Sequence, residues 1–259
     1  MPRVRLDSLL AERGLYASRS RAAAAVLAGQ VHVGAGRARA EKPSQLVAAD
    51  VELSVDTPAQ YVSRGGIKLA NALDALGLDV SGRRALDVGA STGGFTDCLL
   101  QRGVSHVVAL DVAYGELDWR LRNDERVTVI ERVNARGLTA DALPHAPDLI
   151  VIDVSFISLT KVLPAVLAVA AERFDCLAMV KPQFEVGRER IGKGGVVRDA
   201  SLRREAIASV AGFAASVGAS IQGFAPSGLP GPAGNRETFV WLAEAPRPSR
   251  GAALDEVDV

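Results

Sequence analysis

From residue 84 onward the chain sets short apolar runs between longer stretches of helical spacing. The strand-like runs are ALDVGA (85–90), HVVALDV (106–112), VTVIERV (127–133), DLIVIDV (148–154) and CLAMVKP (176–182), followed by SIQGF (220–224) and TFVWLAE (238–244). Runs this apolar suit strands buried on both faces of a parallel sheet. Between them the spacing predicts helices over 94–102, 158–171 and 200–217, and a further helix over 65–77 precedes the first strand. The alternation predicts an α/β fold, a doubly wound Rossmann-like sheet that takes ligands at the carboxyl ends of its strands.

The first 55 residues follow a different pattern. Leu6, Leu9 and Leu10 fall at helical spacing within residues 5–13, and Gly14 follows as a stop. Ser18 precedes Arg19, Ser20, Arg21 and an alanine-rich helix, which Gly29 ends before VHV (31–33) begins a strand. Val51, Leu53 and Val55 alternate as a half-buried strand, and Thr57-Pro58 marks a linker. The expected organisation is a small α+β domain over 1–56, a linker over 57–63, a large domain over 64–245 and a tail over 246–259.

Charge adds to this picture. The 30 basic and 30 acidic residues cancel, but residues 1–50 hold eight Lys/Arg and four Asp/Glu, a balance of +4 that leaves −4 for residues 51–259. A basic head on a mildly acidic body points to a nucleic-acid-binding module joined to something else. Two arginines in the first turn of a helix oppose its dipole, so local stability does not explain Arg19 and Arg21. A phosphate docked at that helix start would, because it draws the backbone N–H groups and both guanidinium groups together. Arg37, Arg39 and Lys42 extend the same basic edge.

Composition excludes several classes. With 48% hydrophobic and 23% charged residues the chain has material for a sizeable core and is not a disordered polymer. Its longest apolar runs, such as Leu163 to Ala171, fall short of the ~18 residues a membrane span needs. The basic N-terminus MPRVRLDSLLAERG lacks the apolar segment of a secretion signal. Cys98 and Cys176 make neither a disulfide framework nor a CxxC pair. A cytoplasmic protein with no membrane association and no metal site is expected.

Candidate chemistry begins where the first strand of the body runs into Asp87-Val88-Gly89-Ala90-Ser91-Thr92-Gly93-Gly94-Phe95. A glycine-rich turn between strand and helix lets a ligand approach the backbone and meet helix N–H groups. Asp111, 22 residues after Gly89, ends the second strand, where a carboxylate can accept both ribose hydroxyls of an adenosine. Both features fit NAD and S-adenosylmethionine alike. Ser91, however, stands where the dinucleotide fingerprint has its second glycine, and a methyl donor needs less room there than a pyrophosphate. A second glycine-rich segment, Gly187 to Gly194, nearly spells a nucleotide-hydrolase phosphate loop. It ends in glycine where that loop holds magnesium with Ser or Thr. The segment reads instead as a basic loop whose Arg188, Arg190 and Lys193 contact RNA phosphates.

The methyl acceptor is narrowed by what the strand ends carry. The fourth strand ends in Asp153-Val154-Ser155-Phe156, without the prolines of the turn by which base N-methyltransferases grip an amine. Carbon-5 pyrimidine methylation needs a nucleophilic cysteine, and Cys98 and Cys176 both read as core residues. What remains is Asp153, Lys181 and Glu237 at strand ends, with Lys68 in the preceding helix. Those four suit a ribose 2′-hydroxyl, which must lose its proton as it attacks. A lysine can take that proton only when neutral, and bringing it from 10.4 to near 7.5 requires about 4 kcal/mol of differential interaction. The chain has five lysines against twenty-five arginines, yet both candidate bases are lysine, and arginine cannot deprotonate.

Two resemblances follow. RLDSLLAERGLYASRSRAAAAVLAGQVHV (5–33) is similar to the alpha-L RNA-binding motif, over roughly residues 3–55. The segments SRGGIKL (63–69), DVGASTGGFTD, DVAYGELDWRLRND, ERVNARGL, DVSFISL, VKPQFEVG and GPAGNRETF resemble the TlyA family over residues 3–244. Members of that family are ribosomal RNA cytidine 2′-O-methyltransferases with an FtsJ-like catalytic domain, historically also labelled haemolysins. The resemblance implies a Lys-Asp-Lys-Glu tetrad at Lys68, Asp153, Lys181 and Glu237. It implies an S-adenosylmethionine pocket at Gly89, Ser91, Thr92, Gly93 and Asp111, with Asn134 near the adenine. Contacts to ribosomal RNA or ribosomal subunits are expected at Arg3, Arg5, Arg19, Arg21 and Arg37 in the head, and at Arg64 and Lys193 in the body. The rival classes are a membrane-lytic protein and a non-catalytic RNA-binding protein on the same fold.

Overall fold

The computed structural model describes residues 3–56, 60–249 and 254. Its contacts divide the chain into two compact units, Met1–Ala59 and Gln60–Val259. The expected linker residues Thr57 and Pro58 lie outside the described residues.

The N-terminal unit comprises β1 (Arg3–Arg5), α1 (Leu6–Glu12), α2 (Arg19–Leu27), β2 (Val31–Val33), β3 (Ala38–Arg39), β4 (Leu46–Ala48) and β5 (Leu53–Val55). Leu6, Leu9 and Leu10 form one buried face of α1, against Ala22, Ala25 and Val26 of α2 and Val31 of β2. Small alanines on α2 let the two helices approach closely. β2 lies between β3 and β5 in an antiparallel sheet, and β1 pairs with β4 in register Val4↔Val47. The β1–β4 pair was not expected. In β4 only Val47 is buried while Leu46 is 56% exposed, so the segment carries no alternation long enough to read.

The second unit comprises α3 (Arg64–Leu76), β6 (Arg84–Val88), α4 (Gly94–Gln101), β7 (His106–Asp111), α5 (Trp119–Arg122), β8 (Val127–Glu131) and β9 (Leu149–Ile152). It continues through α6 (Leu163–Ala168), β10 (Asp175–Val180), α7 (Ala200–Ser216), β11 (Ala219–Pro226) and β12 (Thr238–Glu244). Its seven strands run in the order β11-β12-β10-β9-β6-β7-β8. The five from β10 to β8 are parallel, and β12 is antiparallel to both β10 and β11. The last two apolar runs therefore form an antiparallel edge on a parallel sheet.

Strand alternation splits the core between the two faces. In β9, Ile150 and Ile152 pack with α6 and α7, while Leu149 and Val151 pack with α3 and α4. All four are fully buried, each stabilising the fold by roughly 1.5–3 kcal/mol. Cys98 and Cys176 sit in these cores, where burial pushes both thiols up, Cys98 to about 11. They are packing residues, as expected.

Three boundaries differ from expectation. The helix expected over 158–171 is a single tight turn, Leu159–Lys161, followed by α6, because Pro164 has no N–H and can enter only at a helix start. Gln60–Ser63 belong to the second unit rather than to a linker: Tyr61 is core, Val62 N–H donates to Asp97 at 2.8 Å, and Ser63 caps α3. The second unit also continues past 245, since Arg247 pairs with Asp175 and Glu244, and Ser249 donates to the Ile221 carbonyl. Residues 250–253 and 255–259 of the expected tail lie outside the described residues.

Candidate active site

The loop after β6 is built from left-handed backbone. Gly89, Ser91 and Gly93 have φ of 86°, 46° and 95°. A Cβ on Gly89 would lie 2.7 Å from the Asp153 carbonyl oxygen, so glycine is what lets the loops after β6 and β9 meet. Ser91 is held in its unfavourable conformation by its own N–H, which donates to Asp111 Oδ2 at 2.7 Å. The other Asp111 oxygen accepts from Ala113 N–H, also at 2.7 Å. Asp111 thus organises the loop besides presenting a carboxylate to it.

Two cavities open at these strand ends. The first, about 470 Å³, is lined by Gly89, Ser91, Asp111, Asn134, Asp153 and apolar neighbours including Leu110 and Val133. The second, about 440 Å³, is lined by Ser63, Arg64, Lys68, Thr92, Asp153, Lys181 and Glu237 among others. They share Gly89, Ser91, Asp153 and Ser155. Gly93 lines neither, and the space a Cβ would take there is filled by Leu117 and Leu121.

The four expected catalytic side chains come from α3, the ends of β9 and β10, and the residue before β12, and all face the second cavity. They form two ion pairs. Lys68 Nζ donates to Glu237 Oε2 at 2.5 Å, with side chains 9% and 2% exposed. Lys181 Nζ lies 2.6 Å from Asp153 Oδ1 but off that oxygen's hydrogen-bonding direction, and donates instead to Ser155 Oγ at 2.8 Å. Ser155 was missed by sequence reasoning, which read this turn only for its lack of prolines.

Asp87 was also missed, although a carboxylate within an apolar strand was the available signal. It is fully buried beneath the loop, with Oδ2 accepting from Thr96 Oγ1 at 2.7 Å and Oδ1 without a partner. Burial, reinforced by the carboxylates of Asp153 and Asp111, pushes it up to about 7 against the opposing Thr96 bond. Phe156 is a further unanticipated feature: at φ 64° its ring is 91% exposed at the rim of the first cavity, tilted against Phe184.

The expected RNA contacts fare unevenly. Arg64 lines the second cavity and donates to the Pro230 carbonyl at 2.8 Å. Arg3, Arg37 and Lys193 are exposed, with Arg37 3.5 Å from Asp56. Arg19 has a local explanation that the sequence reading denied it, and Arg5 shares it. Both pair with the buried Asp7, at 2.7 and 3.1 Å, and the Arg5 hydrogen bond leads in holding that carboxyl well below the usual carboxylate range. The helix start is also capped, since Ser18 Oγ accepts from Arg21 N–H at 3.3 Å. In the basic loop, Arg190 pairs with Glu205 at 2.6 Å rather than standing out for RNA. That loop leads into no helix that could cradle a phosphate, its one regular turn being Arg188–Arg190.

A family model described as FtsJ-like methyltransferase matches residues 61–244. The 16S/23S rRNA (cytidine-2′-O)-methyltransferase TlyA of Mycobacterium tuberculosis is 50% identical over 242 residues, 93% of this chain and 90% of the relative. The chain belongs to the TlyA family of FtsJ-like methyltransferases. Another relative of this methyltransferase, Hemolysin A of Brachyspira hyodysenteriae, is 41% identical over 78% of this chain and 84% of its own. A solved structure from Streptococcus thermophilus that carries a haemolysin name superposes with TM-score 0.72 at 39% identity, covering 97% of this chain and 92% of that one. Among the described residues of the methyltransferase, no helix is long and apolar enough to cross a membrane.

Proposed function

We propose that this methyltransferase transfers a methyl group from S-adenosylmethionine to the ribose 2′-hydroxyl of cytidine in ribosomal RNA. The observation that carries the reading is the pair of lysine–carboxylate ion pairs facing one cavity, which joins a second cavity through Gly89, Ser91, Asp153 and Ser155. The TlyA relative named for cytidine 2′-O-methylation supports the same acceptor.

The residues of the first cavity fit the donor. Gly89 lines this cavity while letting the loops after β6 and β9 meet, and Asp111 retains lone pairs for ribose hydroxyls beyond those taken by Ser91 and Ala113. Asn134, which also lines this cavity, offers an amide to the adenine. The bound donor supplies an electrophilic methyl group, and its sulfonium is neutralised on transfer.

The chain's own groups act on the acceptor. Asp153 and Ser155 hold the Lys181 amine at the junction of the two cavities; once its ammonium has released a proton to solvent, the neutral amine takes the proton that the 2′-hydroxyl must lose. Lys68, fixed by Glu237, keeps a cation beside the oxygen as its charge develops. No oxyanion hole is required, because the reaction destroys charge on sulfur as it forms the O–C bond. The N-terminal unit acts as the RNA-binding module, with Arg3, Arg21 and Arg37 among the exposed cations that meet phosphate. On this reading the enzyme works in the cytoplasm on ribosomal subunits or their RNA.

The test is incubation with unmodified ribosomal RNA and isotope-labelled donor, followed by nucleoside mass analysis. Label in 2′-O-methylcytidine is the expected result. Label on a base, or donor binding without any transfer, would overturn the acceptor assignment.

A further inference from the structure

The segment that leaves β9 carries both groups that meet Lys181, namely Asp153 and Ser155, and it has no regular structure up to Ser158. Its backbone is strained at Phe156, whose φ of 64° a bulky residue keeps only where its surroundings over-determine it. Core packing does not impose that conformation, because the ring is exposed. Its ring contact, Phe184, belongs to the loop after β10.

The same loop grips the segment on either side of Phe156. Before it, Lys181, just past β10, donates to Ser155 Oγ at 2.8 Å. After it, Glu185 turns both carboxylate oxygens to the segment: Oε2 accepts from Ser158 Oγ at 2.6 Å and Oε1 from Leu159 N–H at 2.9 Å. The turn between the two grips is itself closed, since Phe184 and Glu185 N–H donate to the Lys181 and Pro182 carbonyls at 2.9 and 3.0 Å. The grips are therefore held at a fixed spacing. Glu185 is half-buried and makes no ion pair among the described residues, and burial pushes its carboxyl up against the opposing pull of these two bonds. A carboxylate in that setting is stable only while its lone pairs are used, and the segment supplies the donors that use them.

We propose that Glu185 is a positioning residue for methyl transfer, fixing the far side of the strained Phe156 turn so that Asp153 and Ser155 stay against Lys181. The inference rests on the reading of Lys181 as the group that acts on the acceptor hydroxyl. Glu185 lines neither the donor nor the acceptor cavity, so its effect on the chemistry passes through the segment it holds.

The test is single-turnover methyl transfer to ribosomal RNA, at saturating donor and RNA, by Glu185→Ala, Glu185→Gln, Ser155→Ala and Glu185→Ala/Ser155→Ala. Glu185→Ala should slow transfer about tenfold, because a small misplacement of reacting groups costs rate steeply. RNA affinity should stay within about twofold, which makes the loss one of kcat rather than KM. Glu185→Gln should recover most of the rate: its amide oxygen still accepts from Leu159 N–H, and its amide N–H donates to Ser158 Oγ while that hydroxyl turns to Thr160 Oγ1, 2.8 Å away. If both residues act through the Lys181 contact, adding Ser155→Ala to Glu185→Ala should slow transfer by less than about twofold more. A Glu185→Ala rate within about twofold of the parent would overturn the proposal, as would losses that multiply in the double variant, the mark of a residue that acts elsewhere in the fold. Ser158→Ala, which removes one of the two bonds, carries the same comparison if Glu185→Ala melts below the assay temperature. If Lys181→Ala keeps transfer, the reading of Lys181 falls and this proposal with it; if Lys181→Ala loses transfer and Glu185→Ala keeps it, the role of Glu185 alone falls.

Discussion

Replacing Lys68 by methionine removes one charge from a pair that the fold has taken out of water. The two side chains are 9% and 2% exposed and meet at 2.5 Å, so the variant leaves the Glu237 carboxylate buried without its counter-charge. Removing one partner of a buried pair costs about 3–5 kcal/mol. The lower end applies here, because both groups border a cavity that admits water. Chemical denaturation should therefore show a loss of about 3 kcal/mol. Lys68→Met/Glu237→Leu removes both charges and should recover most of that loss, since a buried pair replaced by apolar groups is often near neutral. Neither variant should transfer methyl groups, so stability and chemistry separate within one pair of measurements. A Lys68→Met protein within about 0.5 kcal/mol of the parent, or a double variant no more stable than the single, would refute the reasoning that this pair is desolvated.

Three further outcomes are expected. Asp87, raised to about 7 when folded against about 3.9 unfolded, contributes stability that is fully present below pH 4 and lost as pH rises through 7; Asp87→Asn lacks this titration. The variant's stability relative to the parent should therefore rise by up to about 4 kcal/mol between pH 4 and 8, and a pH-independent difference would count against a protonated Asp87. Asp111→Ala should weaken S-adenosylmethionine binding by roughly 1.5–3 kcal/mol in calorimetry; binding of NADH in place of the methyl donor would show the cofactor reading to be wrong. Arg19→Ala should lower the melting temperature of the N-terminal unit, because Asp7 loses one of its two arginines, whereas Arg21→Ala should weaken RNA binding at unchanged stability; equal melting temperatures for the two variants would speak against the Asp7 pair.

Much of the body was legible because its strands are short, apolar and separated by helical spacing, and strand ends fix where side chains converge. Lys68, Asp153, Lys181 and Glu237 could be read as one cluster for that reason, although they span 169 positions in sequence. What the pattern did not carry was pairing. That Asp7 would be buried and claim Arg5 and Arg19 depends on how α1 packs against α2, and the dipole argument assigned Arg19 wholly to RNA. The contact of Ser155 with Lys181 likewise exists only once loops distant in sequence are folded together. The Cβ side of Gly93 is filled by Leu117 and Leu121, a packing demand that residue type does not distinguish from ligand approach.

The central claim is that Lys181 acts on the acceptor hydroxyl. It is tested most directly by single-turnover methyl transfer to ribosomal RNA by Lys181→Ala and Lys181→Arg, with donor and RNA affinities measured alongside. Both variants should lose transfer by at least about a hundredfold while binding donor and RNA within a few-fold of the parent, because a guanidinium keeps its proton where an amine can accept one. Substantial transfer by Lys181→Arg would contradict the account and leave Lys181 only a positioning role.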